Sequence, residues 1–131
     1  MRLCAFAVNL MTPHEQHLID IICPAVQTQN LIRIWYRNTA SGLQDWRTAE
    51  PYLIGSFHKK HIQLAAWFLP TPEQMMAGQK EGWRAYILKN ISEVQVLETN
   101  FERARQDYDP QGNGMKEVIC AARRDPMMRI V

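Results

Sequence analysis

Leu31-Ile32-Arg33-Ile34-Trp35-Tyr36-Arg37-Asn38 decides the fold class, because the apolar spacing changes there from helical to alternating. Ile32, Ile34 and Tyr36 fall on one side of an extended chain; Arg33, Trp35 and Arg37 fall on the other, as the two-residue period of a strand requires. Upstream, Leu18, Ile21, Ile22, Ala25 and Val26 recur at helical spacing. The helix start is marked by Thr12-Pro13-His14-Glu15. Thr12 can cap, Pro13 suits the first helical position, and Glu15 stands where a capping-box glutamate belongs. Pro24 lacks a backbone N–H and crowds the preceding turn, so it predicts a kink or a second short helix.

Downstream, the polar stretch 39–45 with Gly42 predicts a hairpin loop. Residues 46–57 read as a second strand, with Pro51 favouring an edge or a bulge. His58-Lys59-Lys60 is a basic turn, and 61–69 a third, largely buried strand. Residues 70–81 predict a loop with one helical turn near 73–77. Residues 83–88 and 94–97 are further strands joined by a tight turn near Asn90, 102–108 a candidate helix, and 115–122 a last strand. Asp109-Pro110-Gln111-Gly112-Asn113-Gly114 is a turn. A helix followed by about five short antiparallel strands predicts a mainly β, α+β domain of the small-barrel kind. Its expected organisation is an arm or strand over 1–12, the domain over 13–122 and a loosely held tail over 123–131.

At 131 residues the chain fits one domain with a real core. A net charge of +2 makes no overall case for nucleic acid, so any anion site must come from local clustering. No apolar run is long enough to span a bilayer, so no membrane role is expected. The odd cysteine count of 3 argues against a disulfide framework and for a reducing, cytoplasmic compartment. Cys23 and Cys120 stand in apolar surroundings and read as inert core thiols. His14/His17 and His58/His61 are two His-x-x-His pairs, but two ligands do not make a metal site, and neither metal nor cofactor is expected. No motif meets the requirements of a catalytic centre, so the chain reads as non-enzymatic.

Glu50-Pro51-Tyr52-Leu53 and Gly82-Trp83-Arg84-Ala85-Tyr86 each open a strand, and each carries a charge that a purely structural strand would not need. With Leu31-Ile32-Arg33-Ile34-Trp35-Tyr36, Arg47 before Pro51, and Arg84-Ala85-Tyr86 running to Ile91, their order resembles the WYL domain over about residues 13–105. That family is a bacterial ligand-sensing module with an SH3- or Sm-like barrel. The chain departs from its pattern in places. By distance from Pro51 the family tripeptide falls on Ile62-Gln63-Leu64 rather than on Trp67-Phe68-Leu69, and two expected arginines are Ile87 and Asn90. About thirty residues precede the barrel, too few for the family's winged helix-turn-helix, which implies a stand-alone sensor or part of a longer regulator.

The resemblance implies a regulatory module that binds a nucleotide or single-stranded nucleic acid through Tyr36, Arg47, Lys60, Arg84, Tyr86 and Lys89. The arginine fork suits phosphate or carboxylate, and an aromatic ring can stack on a base. The regulated process would be transcription or defence. The alternative is a protein-interaction or oligomerisation module of SH3-like type, pairing as a homodimer or with a regulatory protein through exposed strands and tryptophans.

Overall fold

The computed structural model describes residues 11–56, 61–102, 105, 107–110, 115 and 117–122. Helix α1 (Pro13–Thr28) leads into strands β1 (Asn30–Arg37), β2 (Gln44–Ser56) and β3 (Ile62–Leu69). Helix α2 (Pro72–Met76) is followed by β4 (Gly82–Ile87), a 3-10 turn (Leu88–Asn90), β5 (Ile91–Asn100) and β6 (Glu117–Ala121). The arm expected over 1–12 lies outside the described residues up to position 10, as does the tail over 123–131.

The helix start forms as its residues dictate. The Thr12 hydroxyl accepts from the Glu15 N–H at 3.1 Å, and the Glu15 carboxylate accepts from the Thr12 N–H at 2.9 Å. Pro24 does not divide the helix, which continues through it to Thr28. Gln29 ends it in a left-handed conformation, its N–H reaching back to the last turn. Leu18, Ile22 and Val26 are fully buried against one face of the sheet.

The sheet has six antiparallel strands in the order β4-β3-β2-β1-β5, with β6 paired to β2 off that path. Strands β4 and β5 end the path without pairing to each other, so the sheet is open and does not close into a barrel. The tight turn expected near Asn90 forms, as a 3-10 turn over Leu88–Asn90. Two expectations are corrected: β5 is far longer than residues 94–97, and the described residues of 102–108 carry no helix. Pro51 does mark a bulge: the β2–β3 register shifts between Pro51 and Leu53. Proline cannot donate to a ladder, so the break falls where the missing N–H does least harm.

Strand alternation divides the side chains between two faces. Ile32, Ile34, Tyr36, Ala49, Ile54, Leu64 and Tyr86 share the face covered by α1. Trp35, Trp46, Trp67 and Trp83 share the other, where Trp35 meets Trp46 edge-on at 5.3 Å and Trp67 meets Trp83 edge-on at 5.6 Å.

One sequence reading is overturned outright. Cys23 of α1 and Cys120 of β6 are not separate thiols; they form a disulfide across 97 residues. The pairing is possible because β6 lies beside the helix, bringing the two Cα atoms to 6.0 Å.

Candidate functional site

Arg47 and Arg84 are far apart in sequence and come together through the sheet. Ala49 of β2 and Gly82 of β4 both pair with Phe68 of β3. Arg47 and Arg84 stand two residues from those partners, so both arginines project to the same face as Phe68. Their guanidinium carbons lie 5.1 Å and 5.2 Å from the centre of the Phe68 ring. Phe68 is fully buried, yet it is not part of the continuous apolar core. What covers it includes two cations, which the negative face of an aromatic ring attracts.

The two arginines are held differently. Arg47 donates from Nε to Asp45 Oδ1 at 2.7 Å and is largely buried, at 14 % side-chain exposure. Gln74 of α2 donates to the other Asp45 oxygen and to the Trp46 carbonyl, fixing the acid. Arg84 makes no ion pair among the described residues. It donates from Nη1 to the Trp83 carbonyl at 2.9 Å and from Nη2 to the Lys80 carbonyl at 2.6 Å. Among the described residues one of the two charges is therefore balanced by an acid, and the other by carbonyl dipoles and the Phe68 ring.

Tyr86 lies against both guanidinium groups. Its hydroxyl is buried and has no hydrogen-bond partner among the described residues. Burial pushes this phenol up to about 12, against the pull of Arg47 and Arg84 toward the phenolate; the contact with Arg47 stops short of a closed hydrogen bond. Tyr36 packs edge-on against Tyr86 at 4.8 Å and accepts from the Ile87 N–H at 3.3 Å.

The remaining expected site residues do not all join this cluster. Tyr36 and Tyr86 are 7 % and 2 % exposed, so neither ring offers a free face to a base, which corrects the expectation that they stack on one. Lys89 is exposed and lines a polar groove of 270 Å³ with His14, Arg37, Gln44, Asn90 and Ser92, whose walls do not include Arg47, Phe68 or Arg84. Lys60 and its neighbours 57–60 lie outside the described residues. His14 approaches the Ile91 carbonyl at 2.7 Å. Among the described residues no group of three or more His, Cys, Asp or Glu could hold a metal ion.

The other face carries Glu50 and Tyr52 of the run quoted from the sequence, with two residues the sequence reading missed, Arg105 and Tyr108. Glu50 is buried at 5 % exposure, and Arg105 meets it with two hydrogen bonds of 2.8 Å and 2.7 Å. Tyr52 donates to Glu50 at 2.9 Å, and its own oxygen accepts from the Arg105 N–H at 3.2 Å. The Glu50 hydrogen bond raises the Arg105 guanidinium above its ordinary value, against the opposing effect of burial. Arg105 also lies over Trp67 at 4.8 Å. Tyr108 donates to the Ala122 carbonyl at 2.6 Å, and the Ala122 N–H donates to the Tyr52 carbonyl at 2.7 Å. Glu50 and Tyr52 thus anchor the C-terminal segment to the sheet; neither takes part in the Phe68 cluster.

Burial raises Tyr52, Tyr86 and Tyr108 above the ordinary phenol value, with the Glu50 charge adding to it for Tyr52 and the Ala122 hydrogen bond opposing it for Tyr108. A group raised on folding contributes its stability in full below its unfolded value, about 10 for a phenol, and loses it as pH rises through the folded value. For Tyr86 and Tyr108 the folded values are about 12. Between the two limits stability should fall by about 1.4 kcal/mol per pH unit for each such tyrosine. Urea midpoints on both sides of that window check this. The Tyr86→Phe chain should show a shallower fall, and an unchanged slope would contradict the assignment.

With this geometry in place, the comparisons with known proteins are limited to the fold. No protein-family model matches the sequence, and no curated protein does. Among solved structures the chain is similar to proteasome accessory factor B/C (PafBC) of Arthrobacter aurescens, at 18 % identity and a TM-score of 0.55. The likeness covers 71 % of this chain and 13 % of that one. At this identity it shows a shared fold. Among the described residues no helix is long and apolar enough to cross a membrane.

Proposed function

We propose that the chain is a non-enzymatic, ligand-sensing regulatory module of the WYL kind, and that its ligand is an anion held by Arg47 and Arg84. The observation that carries this reading is the pair of guanidinium groups over Phe68 beside a Tyr86 hydroxyl unpartnered among the described residues. A buried hydroxyl without a partner costs roughly 1–3 kcal/mol, and two adjacent cations repel. A phosphate oxygen accepting from both arginines and from Tyr86 relieves both costs. The ligand is read as a nucleotide or a short single-stranded nucleic acid recognised through its phosphate. Its base must stack elsewhere, since Tyr36 and Tyr86 face each other.

The fold likeness to PafBC, which contains a WYL domain, supports the regulatory reading. We read the open sheet as an unclosed form of the SH3- or Sm-like barrel. The proposal places the module in the cytoplasm of a bacterium, serving transcription or defence; there a Cys23–Cys120 bond would be transient and redox-responsive.

Calorimetric titration with mononucleotides and oligothymidylate tests the reading, with inorganic pyrophosphate as the smallest probe. Arg84→Ala should weaken binding about 10- to 100-fold, the worth of a charge-assisted hydrogen bond. Tyr86→Phe should weaken binding while leaving the fold as stable or more so, because it deletes an unsatisfied group. Absence of binding by any of these anions, or equal affinity in Arg84→Ala, would remove the proposal.

A second reading has its own observation. β5 ends the sheet path as a ten-residue strand, and Val96 on it is 45 % exposed. Among the described residues its outer edge has no strand partner, and such edges favour strand-to-strand association into a homodimer or with a regulatory partner. Sedimentation over a range of concentrations decides it: a monomer throughout would leave no role for this edge in self-association.

A further inference from the structure

A cleft over β3 and β4 lies on the face away from the Phe68 cluster. Ala65 and Ala85 are cross-strand partners at its floor, with Leu53 of β2 beside Ala65. Trp83, Tyr108, Met115 and Gln63 stand around it, and Asp107 and Asp109 also line it. Small side chains between bulky ones leave a hollow, here of about 440 Å³. That volume is within the range of ordinary small-ligand sites.

Two observations narrow the occupant. The amide oxygen of Gln63 is buried and accepts no hydrogen bond among the described residues. A buried acceptor left unmet is costly, so an occupant that donates to it is favoured over one that does not. Charge makes the second distinction. Arg84 contributes to the lining, but its guanidinium is over Phe68 and bonded to the Lys80 and Trp83 carbonyls. Asp107, by contrast, is an exposed carboxylate at the cleft. The cleft offers an aromatic surface, an acceptor and negative charge, the opposite of the Phe68 cluster.

We infer that this cleft binds a flat, neutral or cationic aromatic small molecule whose ring N–H or amino group donates to the Gln63 amide oxygen while its ring lies against Trp83. The site is independent of the anion site and does not rest on it. The two sites adjoin through β4, where Trp83 and Arg84 are successive residues and the Trp83 carbonyl accepts from Arg84.

Titration of the full chain with benzimidazole and with benzoate, followed by NMR of the tryptophan indole and glutamine amide protons, tests the inference. Benzimidazole has the flat ring and the N–H; benzoate has the ring, a negative charge and no N–H. Benzimidazole should shift the Trp83 and Gln63 signals saturably, and benzoate should not. Ala85 is exposed, so Ala85→Leu fills the hollow without loading the core and should weaken benzimidazole at least tenfold. Gln63→Leu should weaken it by about tenfold, the worth of one hydrogen bond. Signals that do not move with benzimidazole, or that move equally with benzoate, overturn the inference. Equal affinity in either variant also overturns it. Arg47 does not line the cleft, so Arg47→Ala should leave benzimidazole binding in place, which separates failure of this site from failure of the anion site.

Discussion

Removing the Cys23–Cys120 disulfide is expected to lower the stability of the fold by about 4–5 kcal/mol, the chain-entropy value for a closed loop of about 100 residues. The residues joined are 97 apart, so nearly the whole domain lies inside the loop. The cross-link ties α1 to β6. Among the described residues β6 pairs with β2 and no other strand, Gln27 of α1 donates to the Ala121 carbonyl at 3.1 Å, and Ala122 just beyond it is held by Tyr52 and Tyr108. Reduction should therefore loosen β6 before the rest of the sheet. Urea unfolding with and without a reductant measures the effect, and Cys23→Ser with Cys120→Ser should reproduce the reduced midpoint while keeping Cys4. Coincident midpoints in all three samples would contradict the pairing. Hydrogen exchange should show β6 amides losing protection first.

The second large effect is expected at the Glu50–Arg105 pair. Arg105→Ala leaves a buried carboxylate whose remaining donor is Tyr52. Breaking a buried pair from one side costs about 3–5 kcal/mol. Arg105 is 35 % exposed in its side chain, so the loss should lie near the lower end of that range. The change also removes the cation over Trp67 and the hold on the segment leading to Tyr108. Glu50→Gln with Arg105→Leu should recover much of the loss, because no unpaired charge is then buried. Thermal unfolding of the single and double variants decides the matter. A single variant within a few tenths of a kcal/mol of the parent, about the size of a surface change, would mean that the pair anchors nothing.

These two features mark what the sequence left hidden. Strand positions were legible because a face buried under a helix enforces the two-residue period; Ile32, Ile34 and Tyr36 fall where that period puts them. Thr12 to Glu15 was legible because capping is local chemistry. The disulfide was not, since no short-range rule connects positions 97 residues apart. Arg105 was not, because it lies in a polar stretch without periodicity and its partner Glu50 is on a different strand. The sheet's failure to close also has no local signature: it depends on whether β4 and β5 meet.

The candidate site was legible in part. Arg47 and Arg84 were singled out, and the register of β2, β3 and β4 brings both to Phe68. Phe68 itself looked like one more core residue in an apolar run. The alternation that places Tyr36 with Ile32 and Ile34 already puts its ring in the interior, which is why it packs on Tyr86 and offers no stacking surface. Lys89 is close to Tyr86 in sequence, but it lies on the 3-10 turn and faces a different groove.

The central claim is that Arg47, Arg84 and Tyr86 together receive an anion. NMR of the arginine Nε–H and tyrosine ring signals during titration with inorganic pyrophosphate tests it most directly. The account predicts that the Arg47, Arg84 and Tyr86 signals move together with one saturation curve, and that Arg84→Ala abolishes the Tyr86 response. Movement confined to exposed groups such as Lys89, with Tyr86 unchanged at saturation, would contradict it.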